Sequence, residues 1–433
     1  MKTFEELGVK VPEILLPKNV PLEKWSVVAC DQYTQNQQYW DSVKKVAGKE
    51  PSTLNIIYPE IYLNAPDKKE RIAQIHSTMK DYLNNGVFAE PENCFVYVER
   101  TTAYGRTRKG LVVAIDLETY EWKPFSKALI RATEATIVER IPPRKEIRKG
   151  AAIESPHIML LVDDPECKLV ETIGKKVCSK NPVYSGNLMA SSGSIKGWKV
   201  SSADELEIVQ DALNQLAQKN TMADGSIFLF AVGDGNHSLA TAKAVWEEEK
   251  LKPQPNQNVR YALVEIVNIY DSGLTFEPIH RVLFNVAGSE VVKFVCKELN
   301  GNLLELANGE LLAQKVADSK NSFGFTYTVQ GEQKFVLVET KVQGLAVAKF
   351  QPVLDKLLEK CKQNGTEVQI DFIHGTQDTL DLGSKGVGIL LPPIAKDSFF
   401  GTISNGGPLP RKSFSMGEAD EKRFYLECRK LYW

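Results

Sequence analysis

Residues 226–250 read SIFLFAVGDGNHSLATAKAVWEEEK, and this stretch decides the class of fold. After Ser226 the run IFLFAV is wholly apolar and short, which suits a central strand buried on both faces. LATAKAVWEEEK then sets Leu239, Ala242, Val245 and Trp246 on one side at helical spacing. Between them lies GDGNHS, residues 233–238: two glycines, an acid, an amide, a histidine and a hydroxyl. A buried strand turned directly into a helix through polar residues is the unit from which α/β sheets are built.

The flanking chain repeats this alternation. SVVACDQYT, from Ser26, is extended, and Asp31 within it can cap the helix that follows, QNQQYWDSVKKVAG. Residues 68–85 form a helix closed by Asn85-Gly86. FVYVERTT and GLVVAIDL are the arms of a β-hairpin, and IMLLV is a strand left at Asp163-Asp164, a pair read as a strand-ending turn. NPVYSGNLMASSGSIKGW is rich in Ser, Gly and Asn and reads as a mobile loop. SADELEIVQDALNQLAQKN is a helix whose Ser202 and Glu205 make a capping box. RYALVEIVNI is a second buried strand. From about residue 287 come a helix, a hairpin turning at Gln330-Gly331, another helix and the strand VGILLPP. The expected organisation is a main α/β domain over 1–286, an inserted α+β subdomain over 287–370, and a segment 371–433 returning to the main domain.

The chain has 433 residues, 43% hydrophobic and 25% charged, which is ordinary for a globular protein with a sizeable core. Its longest apolar run is far short of a membrane span, and the N-terminus lacks the apolar core of a signal peptide. No membrane association is expected, and the expected compartment is the cytoplasm. The seven cysteines are scattered with a closest spacing of eleven, which argues against a disulfide framework and a cysteine zinc site. A formal net charge of -2 gives no reason to expect a nucleic-acid partner. One local exception, RIPPRKEIRK at 140–149, packs five basic residues into ten. It reads as a solvated loop, or as an arm that contacts a phosphate or carboxylate.

The chemistry concentrates in GDGNHS. The N-terminus of a helix that follows a buried strand presents unpaired N–H groups and binds anions, commonly phosphate. Gly233 and Gly235 let backbone approach a ligand, Asp234 can hold a metal ion or orient His237, and Ser238 adds a hydroxyl. The competing reading is structural: Asn236 caps the helix and the glycines serve the turn. His76 and His157 read as structural.

FAVGDGNHSLATAK resembles the signature of a bacterial and archaeal family, domain-of-unknown-function family 1015, whose strand and helix flank a D-G-H-H-R-like turn. Asp234, Gly235 and His237 match; Asn236 stands for the first histidine and Ser238 for the arginine. RATEATIVERIPPRKEIR is similar to the family's H-E-x-T element, with Glu134, Thr136 and Arg148 matched and Thr133 in place of histidine. PIHR gives His280 and Arg281, and GPLPRKSFSMG gives Pro410, Lys412 and Ser413 beside Arg411. LPKNVPLEKWSVVACDQYT looks like the N-terminal variant of one branch. The turn also resembles that of the ParB/sulfiredoxin-like fold, which includes CTP-binding ParB proteins and free-serine kinases. The resemblance implies a mixed α/β core of that type carrying an inserted α+β subdomain, with a nucleotide such as ATP or ADP, or a phosphorylated metabolite, at 233–238.

Phosphoryl transfer needs cations around the transferred group and a base beside the acceptor. The implied set is Asp234, His237 and Glu134 for catalysis, with Asp234 as ligand to Mg²⁺ or Mn²⁺. Gly233, Gly235, Asn236, Ser238, Arg148, His280, Arg281, Arg411, Lys412 and Ser413 bind phosphate or nucleotide. The expected activity is a kinase or phosphatase of a small hydroxylated metabolite such as serine or phosphoserine. The alternatives are a nucleotide-sensing regulator without turnover, and a degenerate site marked by Ser238. With serine where relatives carry arginine, a cation must come from elsewhere, and Arg148, Arg281 and Lys412 are the candidates.

Overall fold

A computed structural model describes residues 1–433. The chain divides into two units, one of residues 1–274 with 417–433 and one of residues 275–416. The sequence reading sets the inserted segment at 287–370; by contacts it begins earlier and ends later, because the strand at 280–284 pairs with those at 369–373 and 387–390.

The first unit is built on a ten-stranded mixed sheet. Its strands are β1 (Val9–Lys10), β2 (Phe95–Thr101), β3 (Thr107–Asp116), β4 (Tyr120–Glu121), β5 (Ile130–Ala132), β6 (Met159–Val162), β7 (Tyr184–Asn187), β8 (Ser194–Val200), β9 (Phe230–Asp234) and β10 (Tyr261–Asn268). They lie in the order β7-β8-β2-β3-β10-β6-β9-β5-β4, with β1 on β3. The main helices are α1 (Gln37–Ala47), α2 (Lys68–Asn84), α3 (Ile141–Arg148), α4 (Val170–Val177), α5 (Ala203–Lys219) and α6 (Asn236–Glu249). The mixed α/β class holds.

The opening stretch folds as a central strand followed by a helix. β9 lies between β5, parallel to it, and β6, antiparallel to it. Residues 228–232 are buried on both faces, and Leu239, Ala242, Val245 and Trp246 seat α6 in the core. Gly233 and Asp234 belong to the strand, so the turn shortens to Gly235. The capping box at α5 forms as expected, with the Glu205 N–H donating to Ser202 Oγ and the Ser202 N–H to Glu205 Oε2. Gly86, at φ 67°, ends α2 in the left-handed conformation.

Four local expectations are corrected. Asn36, not Asp31, caps α1, accepting from the Tyr39 N–H at 3.0 Å. SVVACDQYT makes one isolated bridge, Val28 with Arg423, rather than a strand of the sheet. The expected loop at 181–198 is a hairpin, β7 on β8. Gly197 is there for packing, since a Cβ would stand 2.2 Å from the Tyr184 ring. The basic segment 140–149 is helix α3, with Pro in its first turn where a missing N–H costs nothing. Four of its five cations are paired: Arg144 with Glu60, Lys145 and Lys149 with Glu248, Arg148 with Glu154.

The second unit has a six-stranded sheet with helices, and it contains the hairpin Ser322–Val329 with Glu332–Glu339. The turn falls at Gln330 and Gly331, both at positive φ, as a two-residue hairpin requires. No helix of either unit is long and apolar enough to cross a membrane.

Candidate functional site

Three neighbouring strands bring Glu134 and the 233–238 turn to one edge of the first unit. β5 and β9 run parallel, with Val232 opposite Ala132, so their C-terminal ends emerge side by side. Thr133 and Glu134 follow one, Gly233 and Asp234 end the other. β6 runs the opposite way, with Met159 opposite Asp234, so the residues that lead into it, His157 and Ile158, arrive at the same edge. In open α/β sheets this edge, where neighbouring connections diverge, is where ligands bind.

Gly235 makes the turn. Its φ is 82°, and a Cβ would lie 3.0 Å from Ile158 Cγ1 and 3.2 Å from its Cα, so any larger residue meets both strain and contact. The Gly235 N–H donates to Asp234 Oδ1 at 2.9 Å. Asn236 is not a side-chain cap. Its Oδ1 accepts from the Thr133 N–H at 3.3 Å and its Nδ2 donates to Thr133 Oγ1 at 3.4 Å, while that hydroxyl donates to the Val232 carbonyl at 2.6 Å. The amide therefore ties the turn to the segment that carries Glu134. The Ile137 N–H donates to His237 Nε2 at 3.4 Å, so a neutral His237 carries its proton on Nδ1. Residues 236–238 are the first turn of α6, whose N–H groups have no acceptor within the helix.

Ser238 faces a residue that the sequence reading sets aside. His157 is buried, its Nε2 lies 3.0 Å from Ser238 Oγ, and its ring meets Phe424 edge-on at 5.1 Å. A second unexpected residue is Lys422. Its ammonium stands 3.7 Å from Asp234 Oδ2. The Asp234 carboxylate raises its pKa against the opposing effect of burial, and Asp31 and Glu134 raise it further. Lys422 thus stays charged among three acids. Asp31 has an exposed residue surface but a crowded carboxyl; desolvation pushes its pKa up, and His157, the Gln32 amide and Lys422 outweigh it, leaving it below the usual value. Asp31 and Lys422 are brought together along one seam, where the Ala29 N–H donates to the Lys422 carbonyl at 2.7 Å and the Phe424 N–H to the Val27 carbonyl at 3.0 Å.

Arg148 belongs to a different arrangement. Its guanidinium donates to the buried Glu154 at 2.6 Å, and Arg429 binds the same carboxylate from the other side. Desolvation raises the Glu154 pKa, and the two arginines more than reverse it. The remaining expected residues lie in the second unit. His280 is buried, accepts the Leu391 N–H on Nδ1 at 3.1 Å and sits 3.2 Å from Thr376 Oγ1. Burial, then the neighbouring Arg281 and His374, take its pKa down to about 4, so it is neutral at physiological pH. Arg281 is fully buried, with its guanidinium on Gln351 Oε1 at 3.1 Å and 4.6 Å from the Phe372 ring centre. Arg411 and Lys412 are exposed, and Ser413 is buried with its hydroxyl donating to the Pro410 carbonyl.

No group of three or more His, Cys, Asp or Glu side chains is arranged to hold a metal ion. A magnesium ion held by phosphate oxygens with one or two carboxylates needs no such group. The acids present, Asp31, Glu134 and Asp234, offer that many, with Lys422 already among them.

The family model for proteins of unknown function designated DUF1015 matches residues 15–359, and the chain belongs to that family. No protein of curated function matches it. Among solved structures it is similar to a free serine kinase variant in complex with AMP, at 11% identity and a TM-score of 0.38 over 72% of this chain and 90% of that one. It is also similar to a conserved hypothetical protein from Pyrococcus furiosus, at 13% identity and 0.33 over 71% and 90%. SbnI with a C-terminal truncation, from Staphylococcus aureus, gives 9% identity and 0.33 over 71% and 83%.

Proposed function

We propose that the α6 N-terminus binds a phosphate group of a nucleotide or phosphorylated metabolite, and that the protein transfers or hydrolyses a phosphoryl group on a small hydroxylated metabolite such as serine or phosphoserine. The observation that carries this reading is the charged Lys422, held among Asp31, Glu134 and Asp234 beside a helix N-terminus whose turn lacks a cation of its own. Backbone N–H groups and one ammonium bind phosphate oxygens; carboxylates at the same edge accept a proton.

In the transfer direction the metabolite hydroxyl oxygen attacks the terminal phosphorus. The bond to the leaving diphosphate oxygen breaks with its electron pair, and the hydroxyl proton passes to Asp234 or Glu134. The α6 N–H groups and Lys422 stabilise the negative charge on the equatorial and leaving oxygens. His157 and Asn236 position the turn through Ser238 and Thr133. A divalent ion, Mg²⁺ or Mn²⁺, supplies further charge neutralisation when it arrives with a nucleotide such as ATP or ADP.

Thermal unfolding with pyrophosphate, ADP, ATP and phosphoserine, each with and without Mg²⁺, tests the reading. A compound that binds the folded chain must raise its Tm by mass action. The expected result is a shift with pyrophosphate and the nucleotides that falls at least tenfold in apparent affinity in Lys422→Met. No shift with any phosphate compound, or an equal shift in the variant, removes the assignment. Phosphoserine formed from serine and nucleotide, or phosphate released from phosphoserine, identifies an enzyme; binding without either identifies a sensor.

A further inference from the structure

A second feature adjoins the α6 N-terminus on its other side. Ser238 and Thr241, on the first turns of α6, form part of the wall of a cavity of about 150 Å³ that reaches back to α2 and α3. Its walls are mostly apolar, Ile57, Ile147 and Ile153 among them, and Phe424 is part of them. The size is that of a cavity that takes up one benzene-sized ring. Four charged side chains also reach it, Arg144, Arg148, Glu60 and Glu154, and they pair off as Arg144 with Glu60 and Arg148 with Glu154. Two positive charges meet two negative ones, so the cavity favours an uncharged group and disfavours a phosphate.

It is not purely apolar, however. Arg148 and His157, which line it, each carry a buried polar atom without a hydrogen-bond partner, Arg148 Nε and His157 Nδ1. His157 as a whole is 8% exposed. A buried polar atom left without a partner is costly, and on a residue that lines a cavity it is the kind of group that a ligand satisfies once the side chain turns toward it. The complementary ligand is a flat, uncharged ring, apolar on its faces and carrying acceptors and donors in its plane.

We infer that this cavity is the nucleobase pocket of a nucleotide whose phosphates lie at the α6 N-terminus; the inference rests on the phosphate reading of that turn. Ser238 joins the two subsites, with its backbone N–H in the first turn of the helix and its side chain in the cavity wall against His157. The ring faces contact the isoleucines and Phe424. The ring edge accepts from Arg148 Nε and meets His157 Nδ1.

Calorimetric titration of the full chain with adenosine and with uridine, which lack phosphate, and separately with pyrophosphate, tests the two subsites apart. A nucleoside is expected to bind on its own, and the stronger of the two identifies a purine or a pyrimidine pocket. Ala151→Leu, which adds three carbon atoms at the cavity wall, is expected to abolish nucleoside binding and leave pyrophosphate binding within twofold. Lys422→Met is expected to do the reverse. Arg148→Lys keeps the charge opposite Glu154 and removes the Nε–H; it is expected to weaken the nucleoside at least tenfold, and it decides the matter if Ala151→Leu does not fold. Failure of both nucleosides to bind at millimolar concentration, or unchanged nucleoside affinity in folded Ala151→Leu or Arg148→Lys, overturns the pocket. Loss of pyrophosphate binding alone would overturn the phosphate reading instead.

Discussion

Among single residues, two buried acids of the first unit differ by the cations that face them. Glu154 has two arginines and sits below its ordinary pKa, whereas Glu427, equally buried, has chiefly the Tyr184 hydroxyl and is pushed by burial up to about 7. Folded Glu427 therefore keeps its proton between its ordinary 4.5 and about 7, where the unfolded chain has lost it. Stability must fall as pH rises through that window, because the folded state binds more protons there. Glu427→Gln removes the titration and keeps an acceptor for Tyr184. The variant should match the wild type near pH 4.5 and exceed it in stability at pH 8, as read by urea unfolding at the two pH values. Residues also mark the limit of local reading. Asp234, Gly235 and Asn236 are legible because glycine, acid and amide at a strand end have few structural uses. Lys422 sits in GEADEKRFYL, where one lysine among mixed charges carries no signal, and its meaning comes from Asp234 across the fold. His157 likewise gains its role from Ser238, far along the chain.

At the level of elements, helix α3 shows how a run of basic residues becomes structure. Its sequence offers charge, two prolines and two isoleucines; on the molecule its cations meet acids on neighbouring elements, Glu60, Glu154 and Glu248. Glu60 and Glu248 lie far off in the chain, and so the segment reads as a solvated loop. The hairpin β7–β8 was hidden for a related reason. Gly and Ser suggest mobility, yet Gly197 gives up its side chain to seat the Tyr184 ring. Strand β9 and helix α6 were legible because six consecutive apolar residues and a one-sided helix do not depend on distant partners. The ion-pair set makes a prediction of its own. Glu154→Gln leaves Arg148 and Arg429 without their shared counter-charge in a buried place, and should cost about 3–5 kcal/mol in denaturant unfolding. Breaking an exposed pair such as Lys127 with Asp224 should leave stability almost unchanged by the same measurement.

For the whole molecule, the first unit is made of two separated pieces of chain, with residues 275–416 between them. The returning piece is no appendage. Leu426 and Cys428 are fully buried in the main core, and Arg429 and Lys430 pair with Glu154 and Ile153. The Tyr425 N–H donates to the Pro156 carbonyl at 2.8 Å, just before His157. Leu426→Ala should therefore lose about 2–5 kcal/mol of stability. It should also weaken pyrophosphate binding, because the same short segment carries Lys422; a variant that lost stability with unchanged pyrophosphate affinity would separate the segment from the site.

That seam has a consequence for how the protein is made. The Ser26 hydroxyl donates to the Phe424 carbonyl at 2.6 Å, across 398 positions of sequence. On the ribosome, domains settle largely in the order in which they emerge. Strand β9 and its turn are out long before Lys422, and the acids Asp31, Glu134 and Asp234 must wait for their cation until nearly all of the described chain has been synthesised. A nascent chain therefore carries these three acids without the ammonium that neutralises them, and the proposed phosphate site is complete only when the late segment docks.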